Sequence, residues 1–268
     1  MKISIVTSYY NRKQQFINTL KTISKSKQIE NVEVIAVDDC SSLEHNIEDL
    51  QKDFSFLKVI TLKPEDRWYI NPCVPFNKAI KAASGDIIII QNPECLHLGD
   101  IISDVVEKIN NNIYLAYGAY SIDKEKTNYI TDLPYENEFI FQMIKSQIMP
   151  ISQRAYVTEG ESAWYNHSIY RPAGYHFLSA ITKENMDKLN GFDERYSNGI
   201  AFDDDEFLFR VKLMGLNVKI IDEPFVIHQW HYSENNFYAK SQNVGLDVKR
   251  NDDLFNNVTK KTTNWRVN

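Results

Sequence analysis

Cysteine is scarce in this 268-residue chain, and Cys40, Cys73 and Cys95 are odd in number, scattered and without CxxC spacing. That excludes a disulfide framework and gives no support to a structural zinc site; the thiols read as reduced, as in a cytosolic-type compartment. No apolar run approaches the roughly 20 residues of a membrane span. The opening MKISIVTSYY has no apolar h-region and no cleavage site, so the expected location is cytoplasmic. An excess of basic charge is also missing. Net charge is −6 with both signs mixed along the chain, which leaves no basic field for nucleic acid. An anionic ligand would then need a few local Arg or Lys side chains, or a metal ion. Glycine is absent from Ser8-Tyr9-Tyr10-Asn11, where a phosphate-cradling loop would follow the first strand. The sequons at Asn166-His167-Ser168 and Asn257-Val258-Thr259 read as chance matches.

What is present is an alternation of buried runs and helical periods. Hydrophobic residues make up 43%, enough to bury the core of one large domain with or without an appendage. Ile3 to Val6, Val32 to Val37, Val59 to Leu62 and Ile87 to Ile90 read as strands. Between them, Phe16, Ile17, Leu20 and Ile23 recur at helical spacing. Ile47, Leu50 and Phe54 predict a second amphipathic helix, and a third runs from about Pro75 to Ala83 with Ser84-Gly85 as its stop. Continuous apolar strands separated by helices imply an α/β fold with a mostly parallel sheet covered on both faces. Ligands in such sheets sit outside the carboxyl ends of the strands, which here places Thr7-Ser8, Asp38-Asp39 and Gln91 to Glu94 on one rim. Residues 131 to 176 show few periods. Beyond them come a strand at Phe177 to Ile181, a helix at Lys183 to Leu189, a turn at Gly191 to Arg195, a helix at Asp204 to Met214 and a last strand at Val218 to Ile221. The polar tail past Tyr232 predicts a peripheral helix and little chemistry.

Four stretches carry more than fold. They are "ISIVTSYYNR" at 3–12, "VEVIAVDDCSS" at 32–42, "FNKAIKAASGDIIIIQNPE" at 76–94 and "NGFDERYSNGIAFDDDEFLFR" at 190–210. In this order they resemble a nucleotide-sugar glycosyltransferase of the GT-A fold, most like glycosyltransferase family 2. The last stretch also resembles the acidic motif of galactosyl- and N-acetylgalactosaminyltransferases. The resemblance implies a Rossmann-like GT-A sheet over residues 1–230, with a nucleotide-binding half at 1–100 and an acceptor and catalytic half at 101–230. Residues 231–268 would be a polar extension. It also implies an inverting transfer from a UDP-sugar to the hydroxyl of a glycan, lipid-linked or protein acceptor, aided by Mn²⁺ or Mg²⁺.

Residue by residue, the resemblance makes Asp39 the acceptor for the uridine base N–H, with Thr7 beside it. From the residues alone, Asp39 and Ser41 could instead form an Asx-type turn. Tyr9 either stacks on the base or packs in the core. Where the family carries Asp-x-Asp, this chain has Asn92-Pro93-Glu94, so Asn92 is grouped with the donor-binding residues and Glu94 keeps the one carboxylate. Hard oxygen ligands suit a divalent cation that neutralises a leaving diphosphate. His228, placed after the last strand, is paired with Glu94 as metal ligand in preference to His231. An imidazole there favours Mn²⁺.

In the run Asp203-Asp204-Asp205-Glu206, helix-dipole compensation explains one or two carboxylates but not four. By resemblance Asp204 is the general base and Asp203 holds the acceptor or neighbouring backbone; Asp205 and Glu206 read as solvated or capping. Arg67 is the cation assigned to the diphosphate. Asn77 and Lys78 are either part of the site or a solvated helix face, and Trp164 and Tyr165 either an acceptor platform or core. The competing function is a degenerate GT-A-like module that binds nucleotide or glycan without catalysis. A sugar-1-phosphate nucleotidyltransferase is set aside for want of the glycine-rich loop.

Overall fold

The computed structural model describes residues 1–131, 133, 146, 162–232 and 241–261. The sheet begins as a parallel block: β1 (Ile3–Tyr9), β2 (Val32–Asp38), β3 (Leu57–Thr61) and β4 (Ile87–Gln91) lie side by side in the order β3-β2-β1-β4. β1, β2 and β4 are buried along their whole lengths because helices cover both faces, which is why these strands read as unbroken apolar runs. Ser4, near the start of β1, is an exception to that apolarity; it donates to Glu33 (2.6 Å), and Gly85 N donates to it (2.8 Å). A Cβ on Gly85 would stand 2.6 Å from Ser4 N, so the helix-to-strand turn needs glycine there.

Beyond β4 the sheet turns mixed. β8 (Leu178–Thr182) runs antiparallel to β4, followed by β6 (Ile113–Ser121), β9 (Asn217–His228) and β5 (Cys95–Leu98), with β7 (Ala163–Asn166) on β6. Helices α1 (Lys13–Ile23), α2 (Cys73–Ala82), α3 (Ile101–Lys108), α4 (Lys124–Thr131), α5 (Lys183–Leu189), α6 (Asp203–Leu213) and α7 (Val244–Lys261) complete the described structure. This is the α/β, GT-A-type arrangement expected from the sequence. No helix is long and apolar enough to cross a membrane among the described residues.

Three expectations need correction. The helix predicted from Ile47, Leu50 and Phe54 is instead two 3₁₀ turns, Leu43–His45 and Glu48–Lys52. Asn46 Oδ1 accepts from Glu48 N (3.0 Å), an Asx turn that competes with helix, and three-residue spacing still puts Ile47 and Leu50 on one buried side. The last strand runs on to His228, seven residues past Ile221, because a bulge opposite Gly118 absorbs the Asp222-Glu223-Pro224 stretch that looked like a stop. Of the expected irregular 131–176 region, residues 163–166 form a strand; 132 and 134–161, apart from 146, lie outside the described residues.

Candidate active site

β5 and β9 set the first half of the site. They pair antiparallel with Cys95 opposite His228, so Glu94, just before β5, faces the end of β9. The turn between β4 and β5 is fixed by Cys95 N donating to Asn92 O (3.1 Å) and Asn92 N to Phe177 O (3.1 Å). Gln229 then clamps the Glu94 carbonyl with its backbone N–H (3.2 Å) and its side-chain amide (2.9 Å). Glu94 is 1% exposed. Its Oε2 accepts from Arg12 Nη1 at 2.6 Å, and its Oε1 lies 3.1 Å from His228 Nε2 and 3.9 Å from His231 Nε2. Burial opposes the charge, but Arg12 and then His228 and His231 hold the carboxyl well below its ordinary range. Burial, reinforced by Arg12, drives His231 down to about 3, so its ring is neutral and its lone pair open to a cation.

The donor set answers whether a metal fits. Ligand atoms of Glu94, His228 and His231 all lie within 4.8 Å of one another. One anionic oxygen and two imidazoles suit a divalent first-row cation, and Arg12 on the other carboxylate oxygen is the kind of outer contact that orients a ligand. These residues fit the ion.

The second half stands on α6. Asp203 is buried and accepts from Asn71 Nδ2 (2.9 Å); burial, and the neighbouring charge of Asp204, push it up to about 6. Asp204 Oδ1 lies 2.6 Å from His176 Nδ1, and its side chain is one-third exposed. The backbone enters α6 through Ala201 and Phe202, both left-handed at φ 60° and 64°. Such residues cost on the order of 1–2 kcal/mol each unless their surroundings enforce the geometry. Helix α7 enforces it here: Asn251 Nδ2 donates to Tyr196 O (3.1 Å) and Ala201 O (2.8 Å), and Ile200 N donates to Asp247 O (3.1 Å).

Asn92, Glu94, His228, Asp203 and Asp204 thus line one cavity of about 340 Å³ together with Ser8, Arg12, Tyr165, Arg171, His176 and His231. The remaining predicted residues lie outside its lining. Asp39 is wholly buried; its Oδ1 accepts from Tyr69 OH (2.7 Å), and Arg67 Nε lies 3.4 Å from Oδ2. Burial lifts Asp39 to about 6, against the pull of Arg67 and Tyr69. The Asx turn considered for Asp39 is made by Asp38, whose Oδ1 accepts from Ser41 N (2.9 Å). Arg67 stacks its guanidinium 4.5 Å above the Tyr10 ring, and its Nε and Nη2 have no hydrogen-bond partner among the described residues. The buried Thr7 and Ser8 hydroxyls are likewise without one. Tyr9 follows the packing alternative: it is fully buried against Phe16 and donates its hydroxyl to His45 O (2.7 Å).

Other readings divide similarly. Asp205 and Glu206 are not solvated. Asp205 accepts from Tyr175 OH (2.6 Å), and Glu206 is buried in a two-pronged pair with Arg210, which also donates to Leu189 O (2.7 Å) and Gly191 O (2.9 Å). Asn77 is no solvated face either: it brackets Phe192 through both backbone atoms, at 2.7 and 2.9 Å. Trp164 belongs to the core with Tyr120 and Phe225, whereas Tyr165 reaches the cavity beside His228. Sequence reasoning missed Arg12, His176, Tyr69 and Asn71. His231 joins the cluster that was expected to hold His228 in preference to it, and the His228-x-x-His231 spacing is the signal that could have found it.

A carboxylate–imidazole cluster facing a helix-start carboxylate pair, at the carboxyl rim of this sheet, is the arrangement expected from the resemblance to a glycosyltransferase. The sequence agrees: residues 4–172 match the model of glycosyl transferase family 2, and the chain belongs to that family. No curated protein sequence matches it. Among solved structures it is similar to TarS of S. aureus in complex with UDP-GlcNAc, with TM-score 0.61 and 16% identity over 91% of this chain and 62% of that one. TarS in complex with UDP gives TM-score 0.58 at 16% identity, covering 98% of this chain and 73% of that one. The mannosyltransferase PcManGT from Pyrobaculum calidifontis, in complex with GDP-Man and Mn²⁺, gives TM-score 0.52 at 15% identity over 84% of this chain. This chain spans 56% of that structure's length. At such identities the likeness speaks for the fold.

Proposed function

We propose that the chain is a metal-dependent, inverting hexosyltransferase that moves a sugar from a UDP-sugar to the hydroxyl of a glycan, lipid-linked or protein acceptor. The observation that carries this reading is the meeting of Glu94, His228 and His231 with Asp203 and Asp204 across one cavity. Glu94, His228 and His231 would hold Mn²⁺ or Mg²⁺, which supplies Lewis-acid neutralisation of the leaving diphosphate. Arg12 keeps Glu94 ionised and adds positive charge on the same side. Asp39 takes the base N–H, with Thr7 and Arg67 beside it, and Asn92 lies at the donor end of the cavity. Asp204 receives the acceptor hydroxyl's proton as that oxygen attacks the anomeric carbon. The C1–O bond to the diphosphate breaks with its electron pair leaving on the nucleotide, and attack from the opposite face inverts the anomeric centre. Buried Asp203 fixes Asn71 and with it the cavity wall at Ile70–Pro72.

The test is nucleoside diphosphate release across a panel of nucleotide sugars, with and without Mn²⁺. Turnover of a UDP-sugar that requires the ion, and is lost in Asp204→Asn while UDP affinity is kept, is the expected result. Silence across the panel with UDP still bound would replace this reading with that of a degenerate binding module. The specific feature favouring that alternative is Asn92-Pro93, where the first aspartate of the family's Asp-x-Asp would add a second carboxylate to the ion site.

A further inference from the structure

The proposed transfer leaves a buried imidazole in the cavity unused. His176 is 6% exposed, and its ring is wedged edge-on between Phe76 (centroids 5.3 Å, interplanar 85°) and Phe192 (5.0 Å, 66°). A buried imidazole in an aromatic slot needs a polar partner; Asp204 Oδ1 lies 2.6 Å from its Nδ1 and has no hydrogen-bond partner of its own among the described residues. The slot is itself built: Phe192 is held by the two Asn77 bonds, and the turn carrying it is clamped to α6 by Arg210. Gly191 in that turn is left-handed (φ 71°), and a Cβ there would collide with Asn77 Oδ1.

We propose that His176 is a positioning residue for the base: neutral, it donates Nδ1–H to one oxygen of Asp204 and leaves the other for the acceptor hydroxyl. This rests on the general-base role proposed for Asp204. Asp204 is otherwise one-third exposed at the first turn of a helix, where nothing else among the described contacts fixes its rotamer. A carboxylate free to rotate seldom meets a hydroxyl in line with an anomeric carbon, and misplacement by about 1 Å costs on the order of 100-fold in rate. The charged groups facing His176 are Asp204 and Asp203 on α6. From its own segment, Tyr175 carries a bond to Asp205, and Arg171 lies 5.9 Å from the Tyr175 ring. From α2 and the Gly191 turn come the rings of Phe76 and Phe192.

The arrangement also sets a pH response. Burial works against the imidazolium, yet the two carboxylates carry His176 above its ordinary 6.5. Protonated, it pairs with Asp204 as an ion and makes that carboxylate a weaker base. Turnover therefore falls as pH drops through the His176 titration and recovers above it. The Asp203 carboxyl, titrating near 6, adds to the same acid limb.

Two measurements test this, and they fail separately from the function. The first is NMR titration of ¹⁵N-histidine-labelled protein without any substrate, the His176 signal being assigned by its loss in His176→Phe. His176 should titrate above 6.5 in the native chain, and measurably lower in Asp204→Asn. A titration unmoved by Asp204→Asn would overturn the pairing, whatever the protein transfers. The second is the pH–rate profile of the Mn²⁺-dependent donor turnover. His176→Phe keeps an aromatic ring in the slot and removes the donor, so turnover should fall about 100-fold with UDP affinity unchanged. His176→Asn keeps a donor near the Nδ1 position without its titration; it should restore part of the rate and move the acid limb to lower pH. Full turnover in His176→Phe, or an acid limb that stays in place in His176→Asn, would overturn the role. An absence of turnover in the native chain would count against the proposed function and leave the NMR result to decide the pairing.

Discussion

Glu94→Gln removes a charge and almost no volume, and its cost can be worked from the groups left behind. Arg12 is 6% exposed and depends on Glu94 Oε2 at 2.6 Å, while His228 and His231 turn their Nε2 atoms to the other oxygen. Breaking a buried pair from one side costs roughly 3–5 kcal/mol, because the buried guanidinium loses the carboxylate it donates to at 2.6 Å. In a chain of this size that is a fall in Tm of about 6–20 °C. Arg12→Met alone should cost a similar amount, by leaving Glu94 to the two imidazoles. Removing both together, as Arg12→Met with Glu94→Gln, should cost less than the sum, with a coupling of about 1–3 kcal/mol. The assay is urea unfolding of the four proteins, followed by calorimetric titration with Mn²⁺ in the presence of UDP. Additive losses would refute the reasoning that the two side chains are one electrostatic unit. Undiminished Mn²⁺ affinity in Glu94→Gln would refute the ligand role.

Arg210→Lys cannot make the two-pronged bond to Glu206 or reach both Leu189 O and Gly191 O. It should lower stability by about 2–4 kcal/mol, read from the urea midpoint. Asn251→Ala, on the last helix, releases the left-handed Ala201–Phe202 entry to α6. Donor turnover should fall at least about tenfold while UDP affinity changes little, as checked by paired kinetics and calorimetry. For Asp39, whose carboxyl titrates near 6, UDP affinity should weaken as pH falls from 7 to 5, because protonation removes the acceptor for the base N–H. Asp39→Asn should bind weakly and nearly independently of pH across that window.

The legible part of the fold was the part dominated by burial. β1, β2 and β4 are covered on both faces, and nothing but apolar residues could have filled most of them. Glu94 stood out because a carboxylate comes directly after such a strand, and His228 because it comes after the last apolar run. Arg12 was invisible for the opposite reason: one arginine after a strand is solvated by default, and it takes distant ties, such as those from Asn11 to Ser41 and Ser42, to fold that turn over Glu94. His176 lay in a stretch without period, so its aromatic slot, assembled from three distant segments, had no local trace. Dipole compensation alone leaves four adjacent carboxylates unexplained, and the i, i+4 spacing of Glu206 and Arg210 is the sequence sign that one of them serves the fold. The polar tail promised little, but Asn251 on its helix donates to the Tyr196 and Ala201 carbonyls and so holds the entry to α6 without lining the cavity itself.

Anomalous scattering from a crystal grown with Mn²⁺ and UDP tests the central claim most directly. A manganese peak within bonding distance of Glu94 Oε1, His228 Nε2 and His231 Nε2, and touching the UDP diphosphate, is what the geometry predicts. UDP bound in the cavity with Arg12 on its phosphates, and no manganese between those three side chains, would contradict it.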